Sequence, residues 1–382
     1  MQVTQIASIV NEVNAEMTGT EAVENIDLNN VVEVGSEIIE SGAQRLDNYV
    51  RSLIDHIGKV VFVNRPYTGS TPSVMMDSWE YGAILEKIQY EGVPEAEEND
   101  TWNLQDGVSY DPNVFHKPTV SAKFYSDRRT FDVPMSFAHR QVKSAFSNAP
   151  QVQAFFSMIE TAISNGQTVK MDGLVNLTIA NAIATAYNNR VAHPASYYPL
   201  VTMYVADTGD STVTSANALV KPEFIRYAAV TMRKVASRMK KFSTVFNIGG
   251  KYRHTPKDRL NIILHSDFVA VAEAYLYSDT FHQEYVKLPL ADEVAFWQGS
   301  GTAFGFDDTS KIIVTPNGAN EAVTVSNIVG MFFDRDALGV TNMDRRVTSD
   351  YNAKGEFTNN WYKFDAGYFN DFNENIAVFT LN

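Results

Sequence analysis

No cysteine occurs among the 382 residues, which excludes disulfides, thiolate metal sites and cysteine nucleophiles and suits a reducing compartment. Histidine is nearly as scarce. The seven lie scattered at 56, 116, 139, 193, 254, 265 and 282 without HExxH or comparable ligand spacing, so a metal site would have to be assembled from distant segments. No run approaches the roughly 18 apolar residues of a membrane span, and MQVTQIASIVNEVNAEM has no basic start leading into an apolar stretch. Positive charge is in deficit: 31 Lys and Arg against 45 Asp and Glu leave a net charge of -14, and such a chain has no general attraction for nucleic acid or anionic membrane. A Walker-type phosphate loop and a GxSxG elbow are both missing, which removes the usual signatures of nucleotide-dependent enzymes and serine hydrolases. GSGTAFG, residues 299–305, has GxGxxxG spacing with no clear helical pattern after it and reads as a surface loop. No cofactor and no metal are expected.

What is present suffices for a large folded core. Hydrophobic residues make up 45% and aromatic ones 12%, which argues against disorder, and the length predicts two or three domains. Residues 1–57 read as an amphipathic helical arm, with Val31, Val34, Ile38 and Ile39, then Leu46, Val50, Leu53 and Ile54, at helical spacing. From Lys59 the pattern changes to short β-like runs, KVVFVNRPY and YGAILEKIQY, which predict a long hairpin. Its returning limb alternates, with Val120, Ala122 and Phe124 on one face; farther on, Phe131, Val133, Met135 and Phe137 do the same, and Pro134 marks an edge or a strand end.

Helical rhythm then holds from Pro150 to Tyr187, about 57 Å if unbroken, with Asn165-Gly166 as the place for a kink or a break. Residues 195–216 read as a strand and loops. A second helix starts at Pro222 and Glu223 and buries Ile225, Ala228, Ala229, Met232, Val235, Ala236 and Met239; a third, capped by Ser266, buries Phe268, Val271, Ala272, Tyr275 and Leu276. LNIIL, KIIVT, NIVGMFF and NENIAVFTL read as strands.

Two patterns of charge invite a functional reading. Residues 91–107 carry Glu91, Glu95, Glu97, Glu98, Asp100 and Asp106 with no base, an acidic hairpin tip that cannot pack on its own core. Basic residues gather elsewhere, as Arg128, Arg129 and Arg140 and as Arg233, Lys234, Arg238, Lys240 and Lys241 along the second helix, so opposite patches on one chain point to head-to-tail contact between identical copies. The triplet Asp334, Arg335, Asp336 is the best catalytic candidate by residue type. On a strand, however, Arg335 points away from both aspartates, and the glycine that follows suits an exposed strand end or a subunit contact.

The order of DRRTFDVPMSFAHRQVKSAF, RLNIILHSDFVAVAEAYLYS, IVGMFFDRDALGVTNMDRR and WYKFDAGYFNDFNENIAVFTL resembles the major capsid proteins of tailed bacteriophages, from about residue 58 to the end. The resemblance implies the α+β, HK97-like (Hong Kong 97 type) fold: an N-terminal arm at 1–57, an extended hairpin loop at 58–130, a peripheral domain with a long spine helix at 131–200 and 340–382, and an axial domain at 201–339. It implies a non-enzymatic subunit that assembles with itself into pentamers and hexamers of an icosahedral virion shell around double-stranded DNA. Scaffolding protein and portal are the other partners implied, no membrane is, and the host cytoplasm is the implied place of assembly. An encapsulin-like compartment of the same fold and a carboxylate-dependent enzyme are the alternatives. The residues expected at contacts between subunits are Glu91, Glu95, Glu97, Glu98, Asp100, Arg128, Arg129, Arg140, Asp334, Arg335 and Asp336.

Overall fold

The computed structural model describes residues 72–76, 84–90, 96, 102–110, 113, 115, 117–138, 149–278, 291–297, 311–316 and 319–382. The expected arm at 1–57, most of the acidic tip, Arg140 and the GSGTAFG loop lie outside the described residues. In chain order the elements are β1 (Met75–Met76), β2 (Leu85–Tyr90), β3 (Val120–Tyr125), β4 (Arg128–Ala138), α1 (Ala149–Asn188), β5 (Tyr197–Pro199) and α2 (Leu200–Thr208). They continue with α3 (Pro222–Met239), β6 (Leu260–His265), α4 (Ser266–Ser278), β7 (Asp292–Val294), β8 (Ile312–Val314), β9 (Val323–Val325), β10 (Ile328–Asp334), β11 (Leu338–Asn352), β12 (Phe357–Asn370) and β13 (Ile376–Thr380).

A five-stranded sheet, ordered β5-β13-β10-β6-β7, divides the core. Alternation along its strands sends Ile263, Met331, Phe333, Ile376 and Val378 to the α1 side, and Ile262, Leu264, Phe332, Ala377 and Phe379 to the side covered by α2, α3 and α4. Both faces are therefore apolar, which is why β10 is buried at every position and reads as the unbroken run IVGMFF. Gly330 sits at its centre because a Cβ there would meet the carbonyl oxygen of Ile263 at 2.7 Å.

The helix α1 is continuous over 40 residues, about 60 Å, through Asn165-Gly166, where the sequence left room for a kink or a break. Gly166 is explained by packing instead. A Cβ at this position would lie 3.3 Å from a methyl of Val133, so the glycine lets β4 approach the helix. The same helix passes from the four-stranded sheet β1-β11-β12-β4 to the five-stranded one, and is accordingly buried on nearly all sides from Met171 to Ala186. Pro134 lies on β4, the terminal strand of its sheet, where a missing N–H costs least.

Two expectations change. The segment after Pro199, read as strand and loops, is the helix α2; it buries Leu200, Val201 and Tyr204 against α3 and ends at Gly209, whose φ of 76° suits the left-handed cap. The C-terminal strand β13, grouped by expectation with 131–200, is hydrogen-bonded between β5 of that group and β10 of 201–339, so one sheet spans both expected domains.

Candidate functional site

Asp334 ends β10, and residues 335–337 turn the chain into β11. The expectation of an exposed strand end fails for this residue, which is 2% accessible. Its carboxylate accepts from the Thr255 hydroxyl at 2.8 Å, from Arg259 at 3.3 Å and from the Asp336 amide at 3.1 Å. Asp336 pairs with the same Arg259. The two aspartates thus share a cation that lies some seventy residues earlier, while Arg335 faces solvent. Both oxygens of Asp334 are engaged within its own subunit, which leaves the carboxylate little surface to offer a second copy. The Thr255 hydroxyl also accepts from Asn375 at 3.1 Å, in a buried corner. Thr255→Val should therefore lower the unfolding free energy by about 1–3 kcal/mol, measured by urea denaturation.

Above this corner lies the hairpin formed by β2 and β3, paired antiparallel from Leu85↔Tyr125 to Tyr90↔Val120. Its two faces are the reverse of the usual arrangement. The polar face, with Lys87, Gln89 and Lys123, turns inward, and Ile88, Tyr90, Val120 and Phe124 turn outward, at 68, 42, 61 and 63% exposure. The inward face is held as a clasp. Lys87 and Lys123 converge on opposite oxygens of Asp371 at 3.2 and 3.1 Å, and that carboxylate is fully buried. Gln89 donates to Asp371 at 3.3 Å and to Glu374 at 3.4 Å, and accepts from Arg253, which itself reaches Glu374 at 3.1 Å. Lys87 also donates to the Asp336 carbonyl and lies 4.8 Å from the centre of the Phe369 ring, so the turn after β10 supports the hairpin directly.

The two carboxyls of the clasp are driven in opposite directions. Burial alone would push Asp371 up, yet Lys87 and Lys123 hold it below the usual carboxylate range. Glu374 is pushed above that range, mainly by burial, with Arg253 opposing and the charges of Asp334 and Asp371 adding. Among the other expected contact residues, Arg128 and Arg129 are exposed at the start of β4. Glu91, Glu95, Glu97, Glu98, Asp100 and Arg140 lie outside the described residues. Asp106 and the fully accessible Trp102 show that the described part of the tip stands in solvent. Sequence reasoning named neither Lys87 nor Lys123, Arg253, Arg259, Asp371 or Glu374 as a group, because the partners are 75 to 284 residues apart in the chain. The one available signal was the alternation of LEKIQY and VSAKFY, which puts both lysines opposite the apolar face.

A capsid role is decided by comparison with known proteins. The Phi29-like phage major capsid protein family matches residues 6–380. The chain belongs to this family. Phi29-like major capsid proteins are structural, and this chain is a subunit of a phage capsid with the HK97-like, α+β fold expected from its order of segments. In the capsid structure of Staphylococcus phage Andhra, a chain 10% identical matches with a TM-score of 0.50, over 81% of this chain and 83% of that one. A chain in the capsid structure of the cyanophage P-SCSP1u, 11% identical, matches with a TM-score of 0.45 over 83 and 90%. No curated protein sequence matches the chain. Within this Phi29-like capsid protein, the clasped hairpin presents an exposed apolar face. Among the described residues no helix is long and apolar enough to cross a membrane, and no group of three His, Asp or Glu is placed to hold a metal ion.

Proposed function

We propose that the hairpin is the part with which each subunit grips the next, its outward face of Ile88, Tyr90, Val120 and Phe124 lying over an adjacent copy. The observation that carries this reading is the inversion of the hairpin. A two-stranded ribbon is marginal alone, and this one turns its polar side to its own subunit and leaves its apolar side for another surface. Copies joined in this way build pentamers and hexamers, which tile an icosahedral shell around packaged double-stranded DNA. Assembly takes place in the host cytoplasm with a scaffolding protein and a portal. The subunit itself performs no catalysis. The expected domains follow the same scheme, with 131–200 at the periphery and 201–339 toward the symmetry axes.

Deleting residues 91–107 tests the reading. Electron microscopy of the full chain co-expressed with its scaffolding partner should show closed shells, and the deletion should leave unassembled subunits. Closed shells at the normal rate from the deleted chain overturn the role of the hairpin, and the absence of shells from the full chain overturns the reading altogether.

A further inference from the structure

At the end of α3 a second exposed surface is preorganised. Residues 243 and 253 form an antiparallel bridge, with amides and carbonyls exchanged at 3.0 and 2.9 Å. Alternation about that bridge sends Arg253 inward to Gln89 and Glu374, and sends Phe242, Tyr252 and His254 outward. The three rings stack. Phe242 lies 5.0 Å from His254 and 6.4 Å from Tyr252, with interplanar angles of 26° and 22°. Phe242 and Tyr252 nevertheless remain 54 and 49% exposed, and Val245 beside them is 53% exposed.

The platform is held rigidly from below. Phe246 accepts from the amide of Ile376 at 2.9 Å, Gly249 donates to Phe372 at 2.8 Å, and Asn247 closes the loop onto Lys251 with bonds of 2.6 and 2.8 Å. Exposed Lys240 and Lys241 lead straight into it, preceded by exposed Arg238. A flat stack of rings beside cations, fixed before any partner arrives, suits an anionic ligand that also carries a planar apolar group.

Double-stranded DNA is a poor match, because its base faces are already stacked on each other and a chain of net charge -14 repels the polyanion overall. The chain itself contains the better match. Residues 91–107 hold six carboxylates and no base, and Trp102 within them is 100% exposed, so no surface among the described residues of its own subunit receives it. We propose that the Tyr252–Phe242–His254 stack, with Lys240 and Lys241, receives the hairpin tip of a second copy: Trp102 lies on the rings and the tip's carboxylates meet the lysines.

Each subunit then carries one tip and one platform. Such a contact is head-to-tail and generates a ring of copies when its rotation closes. The inference rests on the reading of the hairpin as the grip between subunits, and adds to it the place where the tip lands.

The test replaces Trp102 with the photoreactive p-benzoylphenylalanine in the full chain, irradiates assembled shells, and locates the crosslinks by denaturing gel and peptide mass spectrometry. A covalent dimer joined between residue 102 and residues 238–254 is the expected product. Dimers joined at another surface overturn this inference and leave the hairpin grip standing. Crosslinks confined to one chain, or formed only to DNA, overturn both.

A charge exchange gives an independent measurement. Lys240→Glu with Lys241→Glu should slow assembly at least tenfold while leaving the subunit's melting curve in place, and adding Glu97→Lys with Glu98→Lys should restore the rate. Normal assembly by the first pair, or no recovery with the second, counts against the proposal.

Discussion

Asp371→Ala should remove about 3–5 kcal/mol of unfolding free energy, the cost of leaving buried cations without their counter-charge. Its carboxylate is wholly inaccessible and faces two ammonium groups, and one of them, on Lys87, is itself only 15% accessible. Without Asp371, Lys87 retains the Asp336 carbonyl and two aromatic faces, from Phe369 and Tyr125, and none of these carries a full negative charge. Asn373 loses an acceptor as well, since its amide donates to the same carboxylate at 3.2 Å. Asp371→Asn keeps an acceptor and should cost less. Urea denaturation measures the loss, and an unchanged midpoint for Asp371→Ala would show that the clasp contributes nothing.

The dependence on pH follows from the same pair of carboxyls. Asp371 is held below its ordinary range, so its contribution is present above about pH 4 and is lost as the pH falls through the lowered value. Glu374 is raised and has the opposite sign: its buried charge costs stability at neutral pH, and protonation relieves that cost first as the pH falls. The hairpin should consequently stay closed from pH 7 to pH 5 and release only below about pH 4. Hydrogen exchange at Lys87 to Tyr90 monitors it, and release near pH 5 would contradict the assignment.

Ile88→Glu combined with Phe124→Glu should have the reverse profile, with no effect on the isolated subunit and complete loss of shells. Both side chains are nearly two-thirds exposed, so the change in unfolding free energy should stay within about 0.5 kcal/mol. In a shell the same positions must be desolvated against a neighbour. Two carboxylates buried there without partners cost several kcal/mol, and the cost recurs at every copy. Sedimentation and electron microscopy read the result. Normal shells from this variant would mean that the outward face is not a contact, whatever the tip does.

The sequence made the long elements legible because each has a single dominant period. Pro222 and Glu223 mark the start of α3, and its buried positions match the expected stripe, with Phe224 added and Ala236 only partly covered. LNIIL and NIVGMFF are strands because both sides of the sheet are covered. The period failed at LVTMYVADT, whose β-branched and aromatic residues favour a strand locally, while packing of Tyr204 on Phe224 and Tyr227 makes it a helix. Asn165-Gly166 left the continuity of the helix open for a related reason: the glycine weakens the isolated helix, yet Val133 needs its space. At the candidate site, alternation put Lys87 and Lys123 together across the hairpin but held no information on Asp371, which is 284 and 248 residues away. Asp334 was legible as a charged residue after an apolar strand, and its burial became visible only with Thr255 and Arg259 in place.

The position of β13 also bears on how the subunit is made. Its residues, 376–380, lie between β5 and β10, and among the described residues β5 pairs with no other strand. Until residues 376–380 leave the ribosome, β10 has an open edge and Phe332 lacks the ring of Phe379, which lies tilted against it 4.7 Å away. Chain synthesis at roughly 5–20 residues per second therefore sets a built-in delay. A nascent subunit cannot complete its central sheet before residues 376–380 are made.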